Sequence, residues 1–135
     1  MPIVMSNDGR RWACGLIQQA MTSLSLGLFA NNFTPTPANI LSDFVPPSFS
    51  GYSPVRFGVW GGIYVNPLGN AETDYPAVVF RVGPGGGSDT IYGYYVFDAF
   101  GFVIWSERNP AGGVLMSKPG DVYPLTPRFE AGALA

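Results

Sequence analysis

Proton-transfer and nucleophilic chemistry near neutral pH leans on histidine, and this chain has none. That removes Ser-His-Asp and Cys-His arrangements and every His-based zinc site. Cys14 stands alone. With no base partner it is a poor nucleophile, it has no partner for an internal disulfide, and it reads as a small core residue near the N-terminus. An inter-chain bridge would need an oxidising setting. The carboxylates are Asp8, Asp43, Glu72, Asp74, Asp89, Asp98, Glu107, Asp121 and Glu130. A pair of them could hydrolyse a glycoside, but most fall in turn or cap contexts where they hold structure. Glu107-Arg108 reads as a strand-end ion pair with a neighbour. Glu72, Asp74 and Asp89 could gather oxygen ligands for Ca²⁺ between loops, yet no D-x-[DN]-x-[DN]-G loop is present and solvated turns account for them. The run Gly83-Pro84-Gly85-Gly86-Gly87-Ser88 lacks the Lys-Ser/Thr and following helix of a phosphate loop, and reads as a hairpin loop. The expectation is no catalysis, no cofactor and no required metal.

Aromatic residues are the other chemical resource. Tyr52, Trp60, Tyr64, Tyr92 and Tyr94 could form a stacking platform for sugars or single strands. The competing reading is that these rings are core or interface, where Tyr and Trp give area plus a polar handle.

The elements that position these residues are mostly strands. Residues 91–108, IYGYYVFDAFGFVIWSER, read as one hairpin: an aromatic, β-branched strand, an Asp98-to-Gly101 turn, and a return through Phe102-Val103-Ile104-Trp105. Asp98 can open the turn and Gly101 can take its left-handed position. Both faces of the first strand carry apolar bulk, so one face fills the core and the other meets a second layer or another chain. Leu24, Leu26 and Leu28 alternate with Ser23, Ser25 and Gly27, the pattern of a strand with one solvated face. Trp12, Ala13, Leu16, Ile17 and Ala20 fall at helical spacing over residues 10–21, capped by Asn7 or Asp8, with the Trp12 face in the core. Residues 38–43 can close one helical turn. Further strands are expected in 55–65 on either side of Gly61-Gly62, in 77–82, 114–116 and 122–129. The core is expected on Leu24, Leu26, Leu28, Val79, Tyr95, Phe97, Ile104 and Trp105. Segments 1–7, 45–54 and 108–113 look like arms that order on a surface.

The fold class that follows is all-β: a single-domain sandwich or barrel of about eight short strands with a short N-terminal helix. Residues 1–22 form the arm and helix, and 23–135 the β domain. Charged residues make 12% of the 135 positions and aromatics 15%. That charge content is about half the usual value, which suits a chain buried in an assembly. The net charge of −2 shows no basic patch for nucleic acid, and no run is long and apolar enough to span a membrane.

Four stretches carry a resemblance. They are the 91–108 hairpin; LSLGLFANNFTPTP at 24–37; Leu41-Ser42-Asp43-Phe44 with Phe49-Ser50-Gly51-Tyr52; and Pro119-Gly120-Asp121 with Thr126-Pro127-Arg128-Phe129. In this order they resemble segments of small structural proteins of tailed bacteriophages, including capsid decoration (cement) proteins. The chain departs from that pattern at Phe97, Phe100 and Phe102, where smaller or polar residues are expected. The resemblance implies a virion protein made in the host cytoplasm and placed on the capsid surface. Its partners would be the major capsid protein or other virion proteins, and copies of itself, with a trimer as the guess. A tail or neck component and a carbohydrate-binding module are the alternatives. The expected interface residues are Tyr52, Tyr92, Tyr94 and Phe100, with Asn31, Asn32 and Phe33 nearby.

Overall fold

The computed structural model describes residues 6–19 and 23–131. Residues 1–5 of the expected arm, and Ala20 and Met21 of the expected helix, lie outside them. Among the described residues the chain is mostly β, with eleven strands in several antiparallel sheets, one α-helix, α1 (Asn7–Gln19), and a 3-10 turn at Leu41–Asp43 within the expected 38–43 turn. The strands are β1 (Leu24–Phe29), β2 (Val55–Arg56), β3 (Ile63–Val65), β4 (Ala71–Asp74), β5 (Val78–Arg81), β6 (Asp89–Ile91), β7 (Gly93–Asp98), β8 (Val103–Arg108), β9 (Val114–Met116), β10 (Val122–Leu125) and β11 (Arg128–Ala131). They exceed the expected eight for three reasons. β4 has the polar sequence Ala-Glu-Thr-Asp and carries no strand signal. The run at 89–97 divides at Tyr92 into β6 and β7, which join different sheets, and the run at 122–129 divides into β10 and β11 at Thr126-Pro127. No described helix is long and apolar enough to cross a membrane.

The chain forms two compact units: residues 1–22, 58–78 and 125–135, and residues 23–57 and 79–124. In the first, β4 is the middle strand of the antiparallel sheet β11-β4-β3, and α1 packs on that sheet. Cys14, fully buried, meets Ala71 and Ala131, with Ala13, Ile63 and Phe129 around them. Gln18 of α1 donates through Nε2 to the Gly61 carbonyl (2.6 Å) and to Thr73 Oγ1 (3.1 Å). The first turn is capped by Ser6, whose Oγ accepts the Gly9 N–H at 3.0 Å, and Asp8 lies inside that turn; the side chain of the other expected cap, Asn7, lies outside the described ones. Trp12 is 69% exposed, which corrects its placement in the core: the small residues Ala13 and Cys14 let α1 lie close to the sheet, and Trp12 falls on the outer side.

In the second unit the main sheet has the order β2-β1-β7-β8. β1 and β7 are its interior strands, in the antiparallel register Leu24↔Asp98 through Phe29↔Gly93. Both faces of β1 are covered: Leu24, Leu26, Gly27, Leu28 and Phe29 are buried. The expected solvated face is instead filled by aromatic rings. Phe29, Phe44 and Tyr95 form a buried cluster flanked by Phe33, Tyr92, Phe97 and Val103, with Phe29–Phe33, Phe29–Phe44 and Phe33–Phe44 meeting edge to face at 5.2–5.5 Å. Such pairs add about 0.5–1.5 kcal/mol each beyond area burial.

Of the expected core, Leu24, Leu26, Leu28 and Tyr95 are buried, and Phe97 and Trp105 are half-buried. Ile104 is exposed because β8 is the outermost strand and the register slips between Val96 and Phe97, where Trp105 faces Val96 and Val103 faces Phe97. The residue between has no cross-strand partner, as at a β-bulge. Val79 is exposed because Phe80 and Val82 take the inward parity of that stretch. The segment 45–54 is no loose arm: Phe49 is buried and Ser50 exchanges backbone bonds with the glycine loop, Ser50 N–H to the Gly86 carbonyl and Gly83 N–H to the Ser50 carbonyl. That loop leads into β6, not into the helix a phosphate loop requires.

Candidate functional site

The tip between β7 and β8 is built by one side chain. Asp98 Oδ1 accepts the N–H of Phe100 at 3.0 Å and of Phe102 at 2.9 Å. The Asp98 carbonyl accepts the Gly101 N–H, and the Asp98 N–H donates to the Phe102 carbonyl. Gly101 sits at φ 86°, as the sequence anticipates for the residue closing this turn. This closed set of bonds carries two rings outward: Phe100 is 86% exposed and Phe102 67%. Solvent-facing phenylalanines whose own N–H groups are already bonded within the turn are an unusual use of apolar area, because nothing in the turn needs them there.

Beside the tip, along β8, runs a groove of about 360 Å³. Its walls include Pro35, Pro37, Phe44, Ile104, Trp105 and Ser106, and none of its lining residues is charged. The far wall is a pinned loop. Arg108 donates to the Phe33 carbonyl (2.7 Å) and to Asn32 Oδ1 (2.8 Å) while lying over the Tyr92 ring. Asn31 bridges the Asp43 carbonyl and the Val45 N–H. Asn39 Oδ1 accepts the Thr36 N–H, and Asp43 Oδ2 accepts the N–H of Ile40 and the Asn39 amide. Those two bonds, the Ile40 one foremost, hold the Asp43 carboxyl below the ordinary range. Arg108 at the end of β8 therefore bonds a carbonyl and an amide oxygen of this loop.

These positions change the expected interface. Tyr94 is 5% exposed and belongs to the interior. Tyr52 is half-buried: β2 stops pairing with β1 at Leu26↔Val55, and beyond it the Leu28 N–H donates to the Tyr52 hydroxyl at 3.1 Å. Burial pushes that phenol up to about 12, against the Leu28 bond. Tyr92, Asn31 and Phe33 are half-buried with partners inside the unit, and Asn32 stays exposed while accepting from Arg108. Of the seven residues, Phe100 is the one presented to solvent on the tip. Phe102, Ile104 and Ile40 join it as exposed apolar side chains, and Leu41 lies 3.6 Å from where a Cβ on Gly101 would stand. Only Phe102 had a sequence signal, as a residue beside the turn. The stacking-platform reading fares poorly, since Trp60 and Tyr94 are buried.

The sheet β11-β4-β3 assembles a second group. Period-2 alternation puts Glu72 and Asp74 on one face of β4, and register sets Tyr64 and Glu130 opposite Glu72 and Arg128 opposite Asp74. The Tyr64 hydroxyl contacts Glu72 Oε2 and lies 2.7 Å from Asp74 Oδ2. Asn66 donates to Glu72 Oε1 at 3.0 Å, and Asn70 to Glu130 Oε1 at 2.6 Å. One hydroxyl proton therefore serves two carboxyl groups: the Tyr64 O–H is the donor to both Glu72 Oε2 and Asp74 Oδ2. Burial, then the Glu72 hydrogen bond, raises the Asp74 pKa. Burial opposes ionisation of Glu72 too, but bonds from Asp74, Asn66 and Tyr64 outweigh it and lower its pKa. The same two carboxyl groups push the Tyr64 phenol upward. Glu72 is 5% exposed, so the group closes a sheet face. Asp89, the third residue of the calcium reading, sits on β6 and accepts the Ser48 N–H. Among the described residues no group of three or more His, Cys, Asp or Glu is placed to hold a metal ion.

No family model matches the chain, and neither a curated protein nor a solved structure matches it.

Proposed function

We propose that this chain is a structural protein of a phage virion, a capsid decoration protein that docks on the head shell and stabilises it by added buried area. The observation that carries the reading is the pair Phe100 and Phe102, held outward on a turn whose donors Asp98 already satisfies. Rigid aromatic knobs lose little entropy on docking and anchor contacts between subunits, here contacts among the copies that together cover the shell. The sparse surface charge points the same way, as does the ordered resemblance of residues 24–129. On this reading the work is geometric, and neither the lone thiol of Cys14 nor the Glu72–Asp74 pair takes part.

The test is compositional. Particles purified from a producing culture should contain the chain at a fixed ratio to the major capsid protein. They should lose thermal resistance when it is deleted. Particles of unchanged composition and stability without the chain would overturn the proposal.

A further inference from the structure

We infer that two copies of this chain pair through the β7–β8 tip, the Phe100–Phe102 knob of each entering the groove beside β8 of the other. This rests on the reading of the chain as an assembly protein and names one partner, a second copy of itself.

Position argues for it first. The knob and one wall of the groove lie within residues 100–106, and residues 35–44 form the other wall. A single two-fold axis beside β8 therefore carries both knobs toward both grooves at once, the self-complementary condition of an isologous interface. Chemistry agrees. Prolines, Phe44, Trp105 and Ile104 wall the groove, its polar lining is the neutral Thr36, Asn39 and Ser106, and no charge is there to be stranded on closure. The knob is equally ready to leave water, because the N–H groups of Phe100, Gly101 and Phe102 all have partners at Asp98. Size is adequate too. At about 150–250 Å² per aromatic side chain, the two rings expose roughly 300 Å² per copy. With Ile40, Ile104 and the groove walls covered on both copies, the contact removes on the order of 1,000 Å², the floor for a specific interface.

Sedimentation equilibrium of the purified chain over a concentration series should give the mass of two chains. Phe100→Ser with Phe102→Ser should weaken self-association by about a hundredfold or more. It should leave circular dichroism unchanged, and melting too at concentrations low enough that wild type is a single chain, since both rings are exposed. Ser106→Trp, which fills the groove and leaves the knob, should do the same. Mixing the two variants restores one knob-in-groove contact, so a hetero-pair should form where neither variant pairs alone. A wild-type mass of one or three chains, a pair that survives loss of both rings, or a mixture that stays unpaired would each overturn the inference. Particle analysis separates this from the proposed function. A monomer found on particles removes the self-pairing alone, and a tip-dependent pair absent from particles removes the virion role alone.

Discussion

Gly27 and Tyr95 are register partners across β1 and β7, and a Cβ on Gly27 would stand 2.7 Å from Tyr95 Cζ. Two residues along, the relation reverses. Phe29 faces Gly93, where a Cβ would stand 2.7 Å from the Phe29 ring and collide with the Glu107 carbonyl. Each ring fills the space a glycine leaves on the neighbouring strand. Gly93→Ala should therefore destabilise by about 1–3 kcal/mol or more, because backbone has to move. Gly27→Ala should cost less, because it meets side-chain atoms of Tyr95 and no backbone. Urea denaturation of the two variants checks the order; a reversed order would mean the rings do not sit over the glycines.

Asp98→Ala removes the acceptor of two N–H groups at an exposed tip. The expected loss is about 0.5–1.5 kcal/mol, with faster amide hydrogen exchange at Phe100 and Phe102. Self-pairing should weaken although both rings remain. Unchanged exchange at those two amides would show that the turn holds itself without the Asp98 carboxylate.

The Asp74 and Glu72 shifts have opposite signs. Asp74 has a raised folded pKa, so its contribution is complete at low pH and is lost as pH rises through that value. Glu72 has a lowered one, so its contribution is present above the ordinary glutamate value and is lost as pH falls through the lowered one. The pair stabilises most where Glu72 is ionised and Asp74 still neutral. A melting series over about pH 3–8 should show Asp74→Asn, which removes the titrating carboxyl and keeps an oxygen to accept from Tyr64, flattening the decline on the higher-pH side only. A profile identical to wild type would show that Asp74 does not titrate with folding.

Tyr52→Phe leaves the Leu28 N–H without its acceptor, at a cost of about 1–3 kcal/mol. In the wild type the neutral phenol contributes fully below the ordinary tyrosine range, and that contribution is lost as pH rises through about 12. An ultraviolet titration should show one late-ionising tyrosine fewer in the variant.

The hairpin, its Asp98 and Gly101 turn, and the alternating leucines of β1 were legible because local chemistry decides them. The parity of residues 77–82 was not, since Ala-Val-Val-Phe-Arg-Val is apolar on both phases and only the neighbours choose Phe80 over Val79. The tyrosines misled for a related reason. Tyr94 and Tyr52 look like interface residues until β1 is seen to be covered on both faces. Tyr64, Glu72 and Asp74 come together by register between β3 and β4, and β4 has too little strand propensity to announce itself.

The middle strand β4 has one of its two neighbours near in sequence, β3, and the other, β11, at residues 128–131. During synthesis the chain therefore carries β4 half-paired while the whole of 79–124 is made. The helix α1 waits as well, since the Ala131 and Phe129 that cradle it are made after every residue of the second unit. The second unit can collapse earlier, so the earlier-made helix belongs to the later-closed unit. A chain stalled before residue 128 would present an open strand edge to its neighbours on the polysome.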